Sequence, residues 1–329
     1  MRVLVTGGCG FIGSHFVKRL AARGDEVVVL DKLTYSGNRA NLEGVKHSFV
    51  HGDISDPAAV AGAGKDCEAV VNFAAETHVD RSILGARDFI RTDVVGTHVL
   101  LEWARTSGVR FVQVSTDEVY GDVPDGVTSF EEDRLRPSSP YSASKAAGDL
   151  QVFAYVRTYG VDARITRGAN TYGANQHPEK LVPLFITNAL DRHALPLYGD
   201  GHQRRQWLHV ADHCVAVEMV LREGEAGGVY NIGGEERENI DVARLILELT
   251  EADASLLRHV DDRAGHDRRY AVDSSRIGAL GWRPERSFDE GLAETVAWYR
   301  DHRSWWEPIK SGEFRAYYER QYAERLGTA

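Results

Sequence analysis

Tyr141-Ser142-Ala143-Ser144-Lys145 sets a phenol and an ammonium four residues apart, the spacing that brings two side chains onto one face of a helix turn. An ammonium favours the phenolate, so the pairing is expected to make Tyr141 a base usable well below the ordinary tyrosine value of about 10. A second group follows the apolar run Phe111 to Ser115, where Thr116, Asp117 and Glu118 stand in succession. Ligands of open α/β sheets lie outside the carboxyl ends of the strands, a position that would aim these three residues at a substrate. Two adjacent carboxyls suit a reaction that removes one proton and delivers another, provided their surroundings pull the two proton affinities apart. Each cluster also has a plainer reading. Tyr and Lys share this spacing on many amphipathic helices, and an acidic pair is often a solvated turn.

What tips the balance toward chemistry lies upstream. Gly8-Cys9-Gly10-Phe11-Ile12-Gly13, with Gly7 ahead of it, fits G-x-G-x-x-G between a β-branched run, Arg2 to Thr6, and a helical pattern, Phe11 to Ala22. Such glycines let the backbone turn tightly against a pyrophosphate, whose charge meets the free N–H groups of the helix N-terminus. Asp31 stands 18 residues beyond Gly13, at the end of the next strand, where a carboxylate can grip a ribose diol. Its charge repels a 2′-phosphate, so the turn favours NAD over NADP. Asp53 and Ile54, after the third strand, are placed to flank the adenine or to cap a loop.

These groups need a scaffold, and the pattern supplies one. Candidate strands at Glu26 to Leu30, Ser48 to Val50, Ala69 to Phe73 and Phe111 to Ser115 alternate with helical stretches such as Ile83 to Thr106. That rhythm predicts an α/β fold, a Rossmann-type doubly wound parallel sheet covered on both faces. A helix from Tyr141 to Tyr159 and a strand from Ala163 to Thr166 continue it, and a stretch rich in Gly, Asn and Pro from Gly168 to Pro183 breaks it. Beyond lie helical patterns near Val210 to Leu221, Val242 to Leu249 and Phe288 to Tyr299. The expectation is an NAD-binding domain over residues 1–167 and, over 168–329, a smaller mixed α/β C-terminal substrate lobe. No linker separates them, so the boundary is soft and the chain is free to re-enter the first domain.

Composition narrows the partners. With 43% hydrophobic and 27% charged residues over 329, the chain reads as globular rather than disordered or fibrous. A net charge of −10 without a basic stripe argues against nucleic acid and for any phosphate being carried by a small ligand. Cys9, Cys67 and Cys214 are scattered, as expected of reduced thiols in a cytoplasm, and no His/Cys cluster, His209, His213 and His266 included, has metal spacing. Neither a signal peptide nor a run of about 20 apolar residues is apparent. No membrane association is expected.

The chain resembles the extended short-chain dehydrogenase/reductase superfamily and, within it, the dTDP-glucose 4,6-dehydratases, from Arg2 to about Tyr299. The motifs that carry the resemblance are Thr-Gly-Gly-Cys-Gly-Phe-Ile-Gly at Thr6, Asp-Lys-Leu-Thr-Tyr at Asp31, Ala-Ala-Glu-Thr-His-Val-Asp-Arg-Ser at Ala74, Ser-Thr-Asp-Glu-Val-Tyr-Gly at Ser115, Pro-Tyr-Ser-Ala-Ser-Lys at Pro140, His-Pro-Glu-Lys-Leu at His177 and Gly-His-Asp-Arg-Arg-Tyr at Gly265. The Asp117-Glu118 pair is the most discriminating. The resemblance implies that Tyr141 takes the C4 hydroxyl proton of a nucleoside-diphosphate hexose as hydride passes to NAD. Glu118 then removes the C5 proton, Asp117 protonates the departing C6 hydroxyl, and the hydride returns to C6. Thr116 holds the C4 oxygen and Lys145 also contacts the nicotinamide ribose. The implied cofactor set is Gly7, Gly10, Phe11, Ile12, Gly13, Asp31, Lys32, Leu33, Thr34, Asp53, Ile54, Phe73, Ala74, Ala75 and Thr92, together with Tyr141 and Lys145. For the sugar nucleotide it is Thr77, Thr116, Asn170, Lys180, Leu181, Pro196, Tyr198, Arg205, Asn231 and His266. Helices 83–106 and 141–159 look apolar on more than one face, as in a homodimer packed through a four-helix bundle.

Two places depart from the family pattern. Ala169-Asn170-Thr171-Tyr172-Gly173 replaces Ser-Asn-Asn-Tyr-Gly, taking away an amide from beside the nicotinamide and leaving Thr171 without an assigned role, and Gln206 follows Arg205 where an Asp is common. The rival readings are a UDP-sugar dehydratase, a variant that stops at a 5,6-unsaturated sugar, an NAD-dependent C4-epimerase or decarboxylase, which does not need both carboxyls, and a non-catalytic dinucleotide sensor.

Overall fold

The structure, a computed structural model, describes residues 1–327; the last two residues of the expected substrate lobe lie outside them. Strands β1 (Arg2–Thr6), β2 (Glu26–Asp31), β3 (Ser48–His51), β4 (Ala69–Asn72), β5 (Arg110–Thr116) and β6 (Ala163–Gly168) alternate with helices. Together with β10, defined below, they form a seven-stranded sheet in the order β10-β6-β5-β4-β1-β2-β3, every pair parallel. The near-continuous apolar strands follow from burial on both faces. In β1, Val3 and Val5 pack with Phe16, Val17 and Leu20 of helix Phe11–Ala22. Leu4 between them packs on the opposite face with Val60, Leu100 and Val152. The side-chain period of two thus divides one strand between two cores.

The chain returns to this sheet late. Helix Val210–Glu223 shares a core with helix Phe11–Ala22, and β10 (Val229–Ile232) pairs with β6 beyond it. Residues 168–209 build the shorter strands β7 (Asn170–Tyr172), β8 (Leu195–Tyr198) and β9 (Arg204–His209). Strands β11 (Glu235–Glu238) and β12 (Leu257–Val260) complete small sheets ordered β11-β9-β7 and β12-β8. A separate core of Val182, Phe185, Leu197, Val242, Ile246, Leu292, Tyr299 and Trp306 holds this lobe together, and Phe314 and Tyr322 of the last helix, Glu313–Leu326, close it.

Two expectations about helices change. The single helix expected over Ile83 to Thr106 is broken into Val79–Leu84, Arg87–Phe89, a π-helical turn Ile90–Gly96 and Thr97–Ser107. Gly85 is extended, and Gly96 presses so closely on Ile54 that a Cβ there would lie 2.5 Å from its side chain. The wide turn carries Thr92 and Asp93 inward, both buried; π-turns frequently mark functional sites. Helix Leu181–Leu190 was masked in the sequence because it is apolar on every side, as befits a helix buried all round. Among the described residues no helix is long and apolar enough to cross a membrane, no group of His, Cys, Asp and Glu could hold a metal ion, and Cys9, Cys67 and Cys214 are buried free thiols.

Candidate active site

A deep cleft runs along the carboxyl ends of the large sheet. At one end the glycine turn fixes its floor. Gly7 has φ of 66°, and a Cβ there would fall 2.6 Å from the Ala74 amide nitrogen. A Cβ on Gly13 would fall 2.3 Å from the Gly7 carbonyl oxygen, so a side chain at either position would collide with the backbone that shapes the cradle. Gly10 caps helix Phe11–Ala22 without a side chain, which leaves the first amides of that helix to a ligand. Asp31 locks turn to strand by accepting from the Cys9 and Leu33 amides, each at 2.8 Å. Lys32 and Asp53 pair across the cleft edge at 3.0 Å. Gly7, Gly10, Phe11, Ile12, Gly13, Asp31, Lys32, Thr34, Asp53, Ile54, Phe73, Ala74, Ala75 and Thr92 all line the cleft. Leu33 does not. Its backbone has φ of 54° and its side chain turns into the core below. The cradle, the free helix N-terminus and the paired acids suit a dinucleotide.

At the other end β5 delivers Thr116, Asp117 and Glu118 into a tight 3₁₀ turn, Asp117–Tyr120. Gly121, with φ of 76°, ends it where a Cβ would meet the Arg136 carbonyl at 2.2 Å. The Thr116 hydroxyl donates to Asp117 Oδ1 at 3.1 Å, whereas Asp117 Oδ2 is buried and unpartnered. Burial, then the neighbouring Glu118, pushes Asp117 up to about 7. Glu118 is half-buried and also raised, by desolvation, but it faces Arg263, Arg205 and Lys180, which pull it back. The two carboxyls therefore see different surroundings.

Ser139 and Ser142 form a capping box, with Pro140 in the first turn, that starts helix Pro140–Tyr159 so that Tyr141 and Lys145 face the cleft. Both are buried. The expected lowering of the phenol by Lys145 is corrected by the structure. Lys145 Nζ donates to the Val114 carbonyl at 2.8 Å, and burial, followed by Glu118 and Asp93, holds Tyr141 well above the ordinary range. Asp93 lies behind the pair, accepting from Ser144 Oγ at 2.6 Å, and burial pushes it up to about 6. Burial, with Asp93 next, raises Glu76 to about 7.

A second cavity opens from the first, and Glu118, Asn170, Glu179 and Lys180 line both. The expected Leu181, Pro196, Tyr198, Arg205 and His266 line the second, and Thr77 the first. Lys180 Nζ donates to the Thr77 carbonyl. The Arg205 guanidinium donates to the Asp267 carbonyl at 2.8 Å and lies 4.2 Å over the Tyr270 ring. Burial, reinforced by Arg263 and Arg205, pushes His266 down to about 4. Asn231 is the exception. It borders neither cavity, and its amide is used between β10 and the loop after β5, accepting from Tyr120 Oη at 2.8 Å and donating to the Ser129 carbonyl at 3.2 Å. Gln206 also stays out of both cavities, bound to the Val272 backbone.

Other residues reach the site that sequence reasoning did not single out. Glu76, Gln176, His177, Glu179 and His213 line the first cavity; Asp80, Arg263, Tyr270 and Tyr322 line the second. Glu76, Asp80, His177, Glu179 and Tyr270 lie within motifs quoted above, so proximity to an assigned residue was a usable signal. Arg263, His213 and Tyr322 carry no local mark.

A family model, the NAD dependent epimerase/dehydratase family, matches residues 3–233. The chain is 52% identical to a dTDP-glucose 4,6-dehydratase of Streptomyces niveus over 94% of its own length and 96% of that protein's. Against dTDP-glucose 4,6-dehydratase 1 of Escherichia coli the identity is 46%, over 99% and 100% of the two chains. The crystal structure of a dTDP-glucose 4,6-dehydratase from Streptomyces venezuelae, solved with NAD bound, superposes with a TM-score of 0.92 at 54% identity, covering 94% of this chain and 100% of that one. The chain belongs to the NAD dependent epimerase/dehydratase family and, within it, to the dTDP-glucose 4,6-dehydratases.

Proposed function

We propose that this chain dehydrates dTDP-glucose to the 4-keto-6-deoxy sugar nucleotide, with NAD held through the whole turnover. The observation that carries the reading is the meeting of Thr116, Asp117, Glu118, Tyr141 and Lys145 at one end of the cofactor cleft, where the second cavity opens. The hexose sits at that junction, with the diphosphate toward Arg205 and Lys180, cations an acidic chain must supply locally.

Tyr141 Oη receives the C4 hydroxyl proton, steered by Thr116. When bound, NAD would supply the hydride acceptor for C4 and the hydride donor for C6, and its positively charged ring would favour the phenolate. The C4 ketone acidifies C5–H, which Glu118 removes. Asp117 delivers a proton to the C6 oxygen, which leaves as water, and Glu118 returns its proton to C5. Over one turnover Tyr141 ends one proton richer and Asp117 one poorer, and the Thr116 hydroxyl, which bonds Asp117 and also acts on the phenol, lies between them. Asp117 suits the acid role because burial keeps its proton near neutral pH, and the cations around Glu118 suit a base. A C4-epimerase has no use for that division.

Purified protein incubated with dTDP-glucose and no added NAD is expected to yield a product lighter by one water with the base-dependent absorbance of a 4-keto sugar. UDP-glucose in parallel should react far more slowly. Absence of water loss from dTDP-glucose would overturn the reading.

A homodimer and a cytoplasmic setting belong to the same proposal. Ile83, Leu84, Ile90, Val95, Leu150 and Tyr159 are exposed on neighbouring elements that pack around helix Pro140–Tyr159, an apolar face that a second copy would cover. Light scattering at micromolar concentration should give twice the chain mass for the parent and a monomer for Leu150→Glu; a monomeric parent would sink the idea. Three buried thiols accord with a reducing compartment, and recovery of the activity outside the cytosolic fraction would count against it.

A further inference from the structure

His213 lies on helix Val210–Glu223, 2% exposed, and lines the cofactor cleft but not the second cavity. Its ring rests on Gly168, where a Cβ would fall 2.6 Å from it. Gly168 ends β6 opposite Thr116 on β5. The imidazole therefore sits beside the reacting end of the cleft, away from Asp31 and Asp53. Next to it, Cys214 Sγ is bonded to the Ile12 carbonyl at 3.6 Å, tying this helix to the glycine turn.

The tautomer follows from proton counting. The Thr171 hydroxyl has one hydrogen, and it donates that to the Ala169 carbonyl at 3.0 Å. With that hydrogen so placed, the 2.8 Å contact with His213 Nδ1 is assigned as one the hydroxyl accepts, which puts the ring proton on Nδ1. Burial among uncharged neighbours pushes His213 down to about 4, so the ring is neutral. Nε2 is left as a bare acceptor, buried and without a partner. A buried acceptor left unpaired is costly, and such groups in native proteins are ordinarily completed by a ligand or water.

We propose that His213 Nε2 accepts a hydrogen bond from the carboxamide N–H of the dinucleotide's nicotinamide, with Thr171 fixing the tautomer that makes it an acceptor. The carboxamide is the only hydrogen-bond donor on that ring, and the opposite end of the dinucleotide is committed to Asp31 and the glycine turn. The inference rests on the cofactor reading above, not on the sugar. Thr171, the position that departs from the family pattern, is here the second partner of the histidine rather than a direct contact.

The test is a titration of cofactor-free protein, without sugar nucleotide, comparing NAD with 3-acetylpyridine adenine dinucleotide, in which a methyl group replaces the carboxamide nitrogen. The parent should bind NAD about tenfold more tightly. In His213→Phe, which keeps a ring against Gly168 but has no acceptor, the preference should fall to within about twofold. Thr171→Val removes the hydroxyl that orders the tautomer and should also shrink the preference, and it decides the matter if the phenylalanine variant does not fold. An equal preference in parent and variants, or none in the parent, overturns the assignment. Because no turnover is read, such a failure would leave the dehydratase reading untouched, and a failure of water loss would leave this one untouched.

Discussion

Tyr141→Phe is expected to lower kcat about 10³-fold while leaving the affinity for the sugar nucleotide within a few fold. The phenyl ring preserves the edge contact with Phe89, 6.3 Å between centroids, and the packing of a side chain only 8% exposed. Only the hydroxyl is lost, and with it the acceptor for the C4 proton. Arg205 and Lys180, proposed above to hold the diphosphate, line the second cavity and should be unaffected. Because the structure holds Tyr141 well above its ordinary range through burial, Glu118 and Asp93, removing the phenol relieves no strain of charge and should leave the melting temperature near that of the parent. Product formation and calorimetric binding, measured on the same preparation, check both halves. A variant that retained a tenth of the parent rate would remove Tyr141 from the chemistry.

The legible parts of this molecule are those whose geometry is local. The G-x-G-x-x-G turn, Asp31 and the Tyr141–Lys145 spacing all fall within one strand–turn–helix or one helix turn, and each is found in the cleft where its spacing put it. Alternation of strands and helices gave the parallel sheet for the same reason. Illegible were features that depend on what the chain meets later. The helix expected over Ile83 to Thr106 is interrupted at the extended Gly85 and widened into a π-turn that ends at Gly96, which packs against Ile54, a residue far back in the chain. Tyr141 is raised rather than lowered because it is buried and because Glu118, Asp93 and Asp117 crowd the phenol, while Lys145 turns to the Val114 carbonyl. Asn231 lies outside both cavities, its amide taken up by Tyr120 and Ser129. His213 gives no sign until Thr171 and Gly168 are brought beside it.

Asp117→Asn should both slow the enzyme and stabilise it, and the two effects have one origin. Burial and Glu118 raise the Asp117 carboxyl from 3.8 to about 7, so the folded chain keeps a proton that the unfolded chain has already lost. Between these values the native state binds more protons than the unfolded one, and stability falls as pH rises. The loss is absent below the unfolded value and complete above the folded one, where it amounts to about 4 kcal/mol at most. An asparagine cannot ionise, but its amide is also buried, and Asp117 Oδ2 has no partner to offer it, which returns about 1–2 kcal/mol of the gain. The expected outcome is a variant more stable than the parent by about 2 kcal/mol near pH 8, with the advantage gone near pH 4. Its kcat should fall by about 10²–10³ because the C6 oxygen must leave without its acid. Denaturant titrations of both proteins across that pH range give the answer, and a variant no more stable than the parent at the alkaline end would mean that Asp117 does not hold its proton in the folded protein. On the proposed mechanism, elimination of water from C6 calls for an acid that holds its proton at the expense of stability, a property that burial and Glu118 give the half-paired Asp117 carboxyl at the end of β5.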